Sequence, residues 1–238
     1  ASGASVAASP TPTLQAGVGG AAPQAPAADP APETAKGQVE VLELSKLQQT
    51  IVRRMAESKA TAPHFYLTAE IEMTRAVQAR KGIKAQAREG DVVPSFNDMV
   101  VKACALALRE IPKANGAYRD GRFELYSRVN VGVAVAAPGA LVVPTVFDAD
   151  AKGLRQIAAE TRALAAKVRE GTITPPELSG ATFTVSNLGM YGIESFEAVI
   201  NSPQAAILAV GAIQERAKFT NDGAPYPAQL MKVTLSCD

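Results

Sequence analysis

Apolar residues recur every three or four positions in three segments of the chain, and this spacing predicts amphipathic helices over 44–59, 94–112 and 151–171. The stripe of the first segment flanks Ser45, a natural N-cap, and comprises Leu44, Leu47, Ile51, Val52 and Met55. The stripe of the third segment comprises Leu154, Ile157, Ala158, Thr161, Leu164, Ala165 and Val168.

The ends of the other predicted helices also carry sequence signals. Ser95 can cap the second helix, and Asp98 lies three residues later as the acid of a capping box. Pro112 ends that helix because proline has no N–H and clashes with the preceding turn. Gly171 ends the third helix because glycine adopts the left-handed backbone of a helix C-terminus at little cost.

Alternation of apolar and polar residues predicts strands between and after these helices. The segment 64–73 places five apolar residues on one face: Phe65, Leu67, Ala69, Ile71 and Met73. Asp120-Gly121 predicts a hairpin, and 181–189 predicts a strand that enters a Gly-rich loop. Two further apolar strands flank the turn signal Asn221-Asp222-Gly223. This mixture predicts an α/β fold of the α+β type, a mixed, largely antiparallel sheet covered by helices on one side.

The most apolar stretch, 129–146, is nearly long enough to span a bilayer. Pro138-Gly139 interrupts it, Pro144 interrupts it again, and valines alternate through its first half. Two buried strands around a turn therefore fit this stretch better than a membrane helix.

The first 40 residues differ in composition from the rest of the chain. They are rich in Ala, Pro and Gly and contain almost no large aliphatic residue, so they cannot bury enough surface to offset the entropy of ordering. The alternation of Ala with Pro favours a linker, 1–40, over a merely disordered terminus. The linker is flexible, but its prolines bias it toward extended polyproline II and make it semi-stiff. The folded domain is expected over 41–238.

Composition narrows the function classes. Hydrophobic residues make up 47% of the chain, which allows a core, and a net charge of +1 argues against a general nucleic-acid footprint. Cys104 and Cys237 are too few for a disulfide framework or a metal cluster, which indicates reduced thiols in a cytoplasmic compartment. The start has no basic region followed by an apolar core, so no signal peptide is predicted.

Two places in the chain are candidates for chemistry. His64, the single histidine, could do acid–base work, but no Ser, Cys or Asp forms a triad spacing with it, and a structural histidine at a strand start is favoured. Ser186 and Asn187 end a strand before Gly189 and Gly192, where backbone can approach a ligand closely. The pattern alone favours a structural turn there, although a hydroxyl in that place suits oxyanion stabilisation.

Five blocks occur in an order that resembles a known family: "LSKLQQTIVRRMAESKATAPHFYL", "SFNDMVVKACALAL", "VNVGVAVAAPGALVVPTV", "FTVSNLGMYGIESFEAVINSPQAAILAVG" and "VTLSCD". Together they are similar to the catalytic domain of the dihydrolipoamide acyltransferase component of 2-oxo acid dehydrogenase complexes. The resemblance covers 41–238 and implies a chloramphenicol acetyltransferase-like two-layer sandwich. The Ala/Pro-rich start resembles the linker that joins lipoyl and subunit-binding domains to this core.

The resemblance implies acetyl transfer between dihydrolipoamide and coenzyme A in what is expected to be a pyruvate dehydrogenase complex. Ser186 matches the hydroxyl that stabilises the oxyanion, and Asn187 beside it is a second catalytic candidate. In the family the last strand continues into His-Arg-x-x-x-Asp-Gly, whose His is the general base. This chain stops at Asp238, so we expect it to lack that base and its C-terminal segment, and to be inactive as written. His64 does not match the base.

The resemblance also implies partners. The family forms a homotrimer that assembles into a larger core with the dehydrogenase and dihydrolipoamide dehydrogenase components, here in the bacterial cytoplasm, without nucleic acid, membrane or metal. Coenzyme A and a lipoyl group carried on a separate domain are its substrates. Gln48-Gln49 depart from the basic residues of many relatives, and Arg53 or Arg54 could substitute. The missing base and this departure leave a non-catalytic core subunit that assembles and tethers partners as an alternative. A chloramphenicol acetyltransferase-like enzyme on the same fold is a third, and the Ala/Pro-rich tether argues against it.

Overall fold

The computed structural model describes residues 35, 37, 39–137 and 139–238. The chain divides into two compact units, Ala1–Glu43 and Leu44–Asp238, and the second contains the helices and strands described below. Most of the predicted linker, 1–40, lies outside the described residues, so that assignment stays a prediction.

The described residues contain four α-helices, and three of them were predicted. They are α1 (Lys46–Thr61), α2 (Thr74–Gln86), α3 (Phe96–Glu110) and α4 (Leu154–Glu170). Sequence reasoning missed α2, which begins after Met73 without a side-chain cap, has no buried residue and contains Gly82. Its pattern therefore lacks both the start signal and the apolar stripe on which helix prediction depends.

The predicted caps are confirmed. The Ser45 hydroxyl accepts the N–H of Gln48 at 3.2 Å, and the Ser95 hydroxyl accepts the N–H of Asp98 at 3.1 Å. Gly171 closes α4 with a φ of 70°. Each cap satisfies backbone groups that have no partner inside the helix.

The part of the chain that the structure describes has ten strands, and six of them build the main sheet in the order β1-β10-β9-β8-β4-β7. The neighbours β9/β8 and β8/β4 are parallel, and the other three pairs are antiparallel. This confirms the mixed, largely antiparallel sheet. The strands are β1 (Phe65–Glu72), β2 (Gly116–Arg119), β3 (Arg122–Leu125), β4 (Val131–Val133), β5 (Val135–Ala137), β6 (Ala140–Val142), β7 (Thr145–Val146), β8 (Phe183–Asn187), β9 (Ala206–Phe219) and β10 (Pro225–Cys237).

The prediction of two buried strands over 129–146 is wrong in part. The stretch forms four short strands, and only β4 and β7 join the main sheet. Beyond Ala134, β5 and β6 pair with each other as a half-buried hairpin, and Pro144, which has no N–H for the ladder, separates β6 from β7. The hairpin that leaves the sheet becomes part of the cavity described below.

The two faces of the main sheet are covered differently. Along β9, Ala206, Leu208 and Val210 face the large core that α3 and α4 complete. Ile207 and Ala209 face the opposite side, where Ala62, Ala198 and Ile200 cover them. Ala198 and Ile200 belong to the segment 193–203, which has no regular secondary structure. Helices thus cover one face, as predicted, and an irregular segment covers much of the other.

Much of two predicted apolar stripes lies on the surface. On α1, Leu47 is 51% and Val52 57% exposed, and on β1, Phe65 is 51% and Leu67 56% exposed. β1 is the edge strand of the sheet, and Ser58 is the one buried residue of α1. Regular spacing therefore identified these elements correctly, but it did not show what covers their apolar side.

Candidate active site

A cavity of about 1230 Å³ opens beside the end of β8. Its lining comes from α1, the first turn of α3, the end of β8, the β5–β6 hairpin, α4 and the segment 196–204. Parts of the chain that are far apart in sequence therefore meet around one space, which is the usual setting of a small-molecule site.

Ser186 lies in this cavity, one residue before β8 ends, and is half-buried. It is opposite Ala209 of β9 and on the same face as Thr184. Within the described residues its hydroxyl makes no hydrogen bond, so the donor is available to a ligand. A preoriented hydroxyl at the rigid end of a buried strand can donate to a negative oxygen that develops during a reaction.

Asn187 also lines the cavity, but its side chain is engaged by the protein. Its Oδ1 accepts the N–H of Gly189 at 2.8 Å, and its Nδ2 donates to Oδ1 of Asn97 at 3.1 Å. The side chain thus fixes the turn after β8 and ties it to the first turn of α3. Its position supports a structural use of the amide.

The loop after Asn187 packs backbone against backbone on β9. A Cβ added at Gly189 would lie 2.5 Å from the carbonyl oxygen of Gly211, so this approach requires glycine. Gly192 adopts a φ of 79°. The Ala212 N–H donates to the Ile193 carbonyl at 2.8 Å, at a bulge in the β9–β10 pairing. The loop that follows Ser186 is therefore seated firmly on the sheet.

Glu194 fastens the far end of that loop, and sequence reasoning missed it. Its Oε1 accepts from Lys232 Nζ at 2.5 Å and its Oε2 pairs with Arg216 Nη2 at 2.8 Å. The hydrogen bond from Lys232 is the main cause that lowers the pKa of the Glu194 carboxyl. The side chains of Glu194, Lys232 and Arg216 are partly exposed, so each ion pair contributes little to stability. Together the two pairs hold the loop in one orientation.

Buried polar side chains join the cavity wall to the sheet. The Thr184 hydroxyl donates to Oε1 of Gln204 at 2.6 Å, and Nε2 of Gln204 donates to the Ala181 carbonyl at 3.1 Å. The Ser236 hydroxyl donates to the Ala198 carbonyl at 2.8 Å. Such side-chain contacts to irregular backbone leave no periodic signal in the sequence, which is why these residues were missed.

His64 is structural, as predicted. Its Nε2 accepts the N–H of Ile200 at 3.0 Å, and its Nδ1 lies 2.7 Å from the Ala62 carbonyl. A carbonyl only accepts and an amide N–H only donates, so the ring is neutral with its proton on Nδ1. Both ring nitrogens are occupied, and His64 is not placed to take a proton from a substrate.

The charged lining of the cavity is mostly basic. Arg54, Arg162 and Arg169 line it, and none of the three forms an ion pair within the described residues. Asp98 also lines it, but the Ser95 and Thr161 hydroxyls donate to its carboxylate at 2.7 and 2.6 Å. Guanidinium groups without carboxylate partners suit an anionic ligand.

Both side-chain amides of the Gln48-Gln49 pair donate to backbone carbonyls. Gln48 Nε2 donates to the Gly139 carbonyl at 2.9 Å, and Gln49 Nε2 donates to the Leu44 carbonyl at 2.8 Å. Of the two arginines considered as substitutes, Arg54 lines the cavity and Arg53 does not.

In the described part of the chain, no helix is long and apolar enough to cross a membrane. Among those same residues, no three His, Cys, Asp or Glu side chains are grouped so that they could hold a metal ion. Cys104 and Cys237 are free thiols.

Comparison with known proteins gives a consistent result. Residues 36–238 match the family model of 2-oxoacid dehydrogenases acyltransferase (catalytic domain). The mitochondrial dihydrolipoyllysine-residue acetyltransferase component of the pyruvate dehydrogenase complex from Caenorhabditis elegans is 43% identical over 200 residues, 82% of this chain and 39% of that protein. The chain spans about one third to one half of the length of the curated relatives it matches.

Solved structures agree with this. The dihydrolipoamide acetyltransferase of Azotobacter vinelandii, in which the catalytic roles of a serine, a histidine and an asparagine were investigated, superposes with a TM-score of 0.82 at 30% identity, covering 91% of this chain and 88% of that one. The cubic core of the pyruvate dehydrogenase multienzyme complex superposes with the same TM-score, identity and coverage.

Proposed function

The chain belongs to the family of 2-oxoacid dehydrogenase acyltransferase catalytic domains, and from that premise we propose that it is the acyltransferase core of a pyruvate dehydrogenase complex. In this proposal it transfers an acetyl group between dihydrolipoamide and coenzyme A. The observation that carries the proposal is the Ser186 hydroxyl, which is held at the end of β8 in the cavity with no partner among the described residues.

Ser186 has one chemical task in this proposal. A thiolate adds to the thioester carbonyl, and the carbonyl oxygen becomes negative as its π electrons move onto it. The Ser186 hydroxyl donates a hydrogen bond to that oxygen until the intermediate collapses and expels the other thiolate. A single oxyanion donor lowers the activation free energy by about 2.7–4 kcal/mol, which is a factor of 10²–10³ in rate.

A base must deprotonate the attacking thiol, because a free thiol with a pKa near 8.5 is mostly protonated at pH 7. His64 is occupied at both ring nitrogens, which supports assigning the base to another residue. We assign it to the histidine of the family's His-Arg-x-x-x-Asp-Gly motif.

The basic lining of the cavity supports coenzyme A as one of the two substrates. Coenzyme A carries phosphates, and Arg54, Arg162 and Arg169 offer guanidinium groups that are free of carboxylate partners within the described residues. Arg162 and Arg169 are seven residues apart on α4, so they lie about 10 Å apart along one face of the helix. We propose that these arginines hold the phosphates. The acyl group and the lipoyl arm would come from a separate lipoyl domain.

Assembly follows from the same proposal. The exposed apolar stripes of α1 and β1 support a homotrimer in which other copies of the chain cover them. In this proposal the trimers build a larger core, and the core binds the dehydrogenase and dihydrolipoamide dehydrogenase components. We also propose that 41–238 is the catalytic domain and 1–40 the linker that precedes it. The bacterial cytoplasmic localisation stays a prediction.

The test is acetyl transfer from acetyl-coenzyme A to dihydrolipoamide by the full-length protein and its Ser186→Ala variant. We expect kcat to fall by roughly 10²–10³ with an unchanged melting temperature. Ser127→Ala is the matched control, because Ser127 is exposed and lies outside the cavity. Wild-type turnover in Ser186→Ala would refute the role of Ser186. No turnover by the wild type would instead favour the non-catalytic core subunit.

A further inference from the structure

The segment 193–203 has no regular secondary structure, yet Ala198 and Ile200 within it are buried. Buried backbone N–H and C=O groups need hydrogen-bond partners, and here the sheet ladder cannot supply them. Side chains do so instead. The Ser236 hydroxyl of β10 satisfies the Ala198 carbonyl and fixes this wall of the cavity to the sheet.

Both backbone groups of Ile200 are held by the chain around the end of α1. The Ser58 hydroxyl donates to the Ile200 carbonyl at 2.7 Å, and the Ile200 N–H donates to Nε2 of His64 at 3.0 Å. His64 in turn donates from Nδ1 to the Ala62 carbonyl at 2.7 Å. We call this arrangement of Ser58, His64 and Ile200 the clasp.

The clasp is the main attachment of α1 that the described residues show. Ser58 is the one buried residue of the helix, and its large apolar residues are half-buried or exposed. At its other end, Gln48 reaches the Gly139 carbonyl in an exposed hydrogen bond. Among the described residues, the polar contacts that hold α1 are therefore few, and the buried one, from Ser58 to the Ile200 carbonyl, belongs to the clasp.

That position matters because α1 forms part of the cavity. Arg54 and Met55 of α1 line it, and Val199 and Asn201, on either side of Ile200, line it as well. One turn of helix separates Arg54 from Ser58, so a shift of the clasp moves the Arg54 guanidinium by a comparable distance.

We propose that Ser58 and His64 are positioning residues that hold α1 against the wall 196–204 and thereby place Arg54 for its anionic substrate. This inference rests on the proposed function for its kinetic consequence. The neutral ring of His64 acts through the lone pair of Nε2, and it does not touch the reacting atoms.

Two substitutions of His64 separate its contacts. Glutamine can place Oε1 near the position of Nε2 and accept from Ile200, whereas asparagine is shorter and reaches only the position of Nδ1. In full-length protein we expect His64→Asn to raise KM for acetyl-coenzyme A by about tenfold with kcat within about twofold, because the loss is in substrate binding. His64→Gln should stay within about twofold of the wild type. Ser58→Ala provides a second route to the same rise in KM.

Hydrogen exchange tests the clasp without relying on turnover. We expect peptides covering 46–61 and 196–204 to exchange faster in His64→Asn and Ser58→Ala than in the wild type and His64→Gln, with peptides from α3 unchanged. Unchanged exchange in both disrupted variants would overturn the clasp, as would His64→Gln behaving like His64→Asn. Altered exchange with unchanged KM would overturn the placement of Arg54. If the wild type transfers no acetyl group, the proposed function fails, and exchange still decides whether the clasp holds α1.

Discussion

The side-chain amides of Asn187 and Asn97 meet in a hydrogen bond of 3.1 Å, although 90 positions separate them in the sequence. Asn187 ends β8 beside Ser186, and Asn97 lies in the first turn of α3. The Asn187 amide oxygen meanwhile accepts from the Gly189 N–H. One side chain thus joins the strand, the loop and the helix that surround the proposed oxyanion site.

Replacing Asn187 by alanine should lower the free energy of unfolding by about 1–2 kcal/mol, because two hydrogen bonds are lost and Gly189 loses its acceptor. Denaturant unfolding measures this. Asn97→Ala is the matched control and should cost less, because the bond to Gly189 remains. Equal stability of Asn187→Ala and wild type would contradict the bracing role.

Gly211→Ala should be strongly destabilising. The added Cβ would lie 1.9 Å from the carbonyl oxygen of Glu194 and 3.0 Å from that of Lys232. Both are backbone atoms, which cannot move without displacing the chain. We expect a loss of about 3 kcal/mol or more.

Gly82→Ala serves as the opposite case. Gly82 lies inside α2, and nothing is within 4 Å of its added Cβ. Alanine there should raise stability by about 0.5–1 kcal/mol, because glycine is a poor helix residue. Thermal unfolding of the two variants would show opposite shifts, and a tolerated Gly211→Ala would refute the close packing of the loop.

Thr161→Val should lower stability by about 1–3 kcal/mol, because it leaves the buried Asp98 carboxylate without the hydroxyl that donates at 2.6 Å. Thr172→Val is the control, since the Thr172 hydroxyl makes one long, exposed bond of 3.4 Å. It should change stability by no more than about 0.5 kcal/mol. Similar losses in both variants would argue against a special link between α3 and α4.

Cys104 should resist alkylation in the native protein. Burial raises the pKa of its thiol to about 12, so at pH 8 almost none of it is the reactive thiolate. Burial also raises the pKa of the Cys237 thiol, which is the less buried of the two. Iodoacetamide labelling followed by peptide mass spectrometry should show Cys237 reacting first, and both reacting alike after unfolding. Faster native labelling of Cys104 would contradict its burial.

The same shift predicts a pH dependence with a definite sign. In the unfolded chain the Cys104 thiol ionises near pH 8.5, whereas in the native protein it keeps its proton to about pH 12. Its contribution to stability is complete below about pH 8.5 and is lost as the pH rises from there toward 12. Cys104→Ala should therefore lose less stability than the wild type across this range. Parallel curves of unfolding free energy against pH for the two proteins would contradict the raised pKa of Cys104.

Much of the secondary structure was predictable because its signals are local. Ser45, Ser95 and Gly171 mark helix ends through contacts within a few residues, and the structure confirms all three. α2 was missed because it has no such cap and no buried stripe. The stretch 129–146 was misjudged because sequence alternation does not reveal that β5 and β6 leave the main sheet.

The site was predictable only in part. The residues around Ser186, read with the family resemblance, identified it as the candidate donor, and its role stays a prediction. Glu194, Gln204 and Ser58 were not identified, because their partners lie 20 to 142 positions away in sequence. Single polar residues in such contacts have no spacing by which they stand out.

By itself the sequence determined the helices with caps, the apolar strands, the mixed sheet and the family, because each depends on short-range spacing or on ordered blocks of residues. Only the tertiary structure decided which apolar stripes are buried, which polar groups meet and which arginines line the cavity. The physical reason is that burial and hydrogen bonding depend on what lies across space. For His64, the sequence favoured a structural role, and the fold supplied Ile200 as its partner.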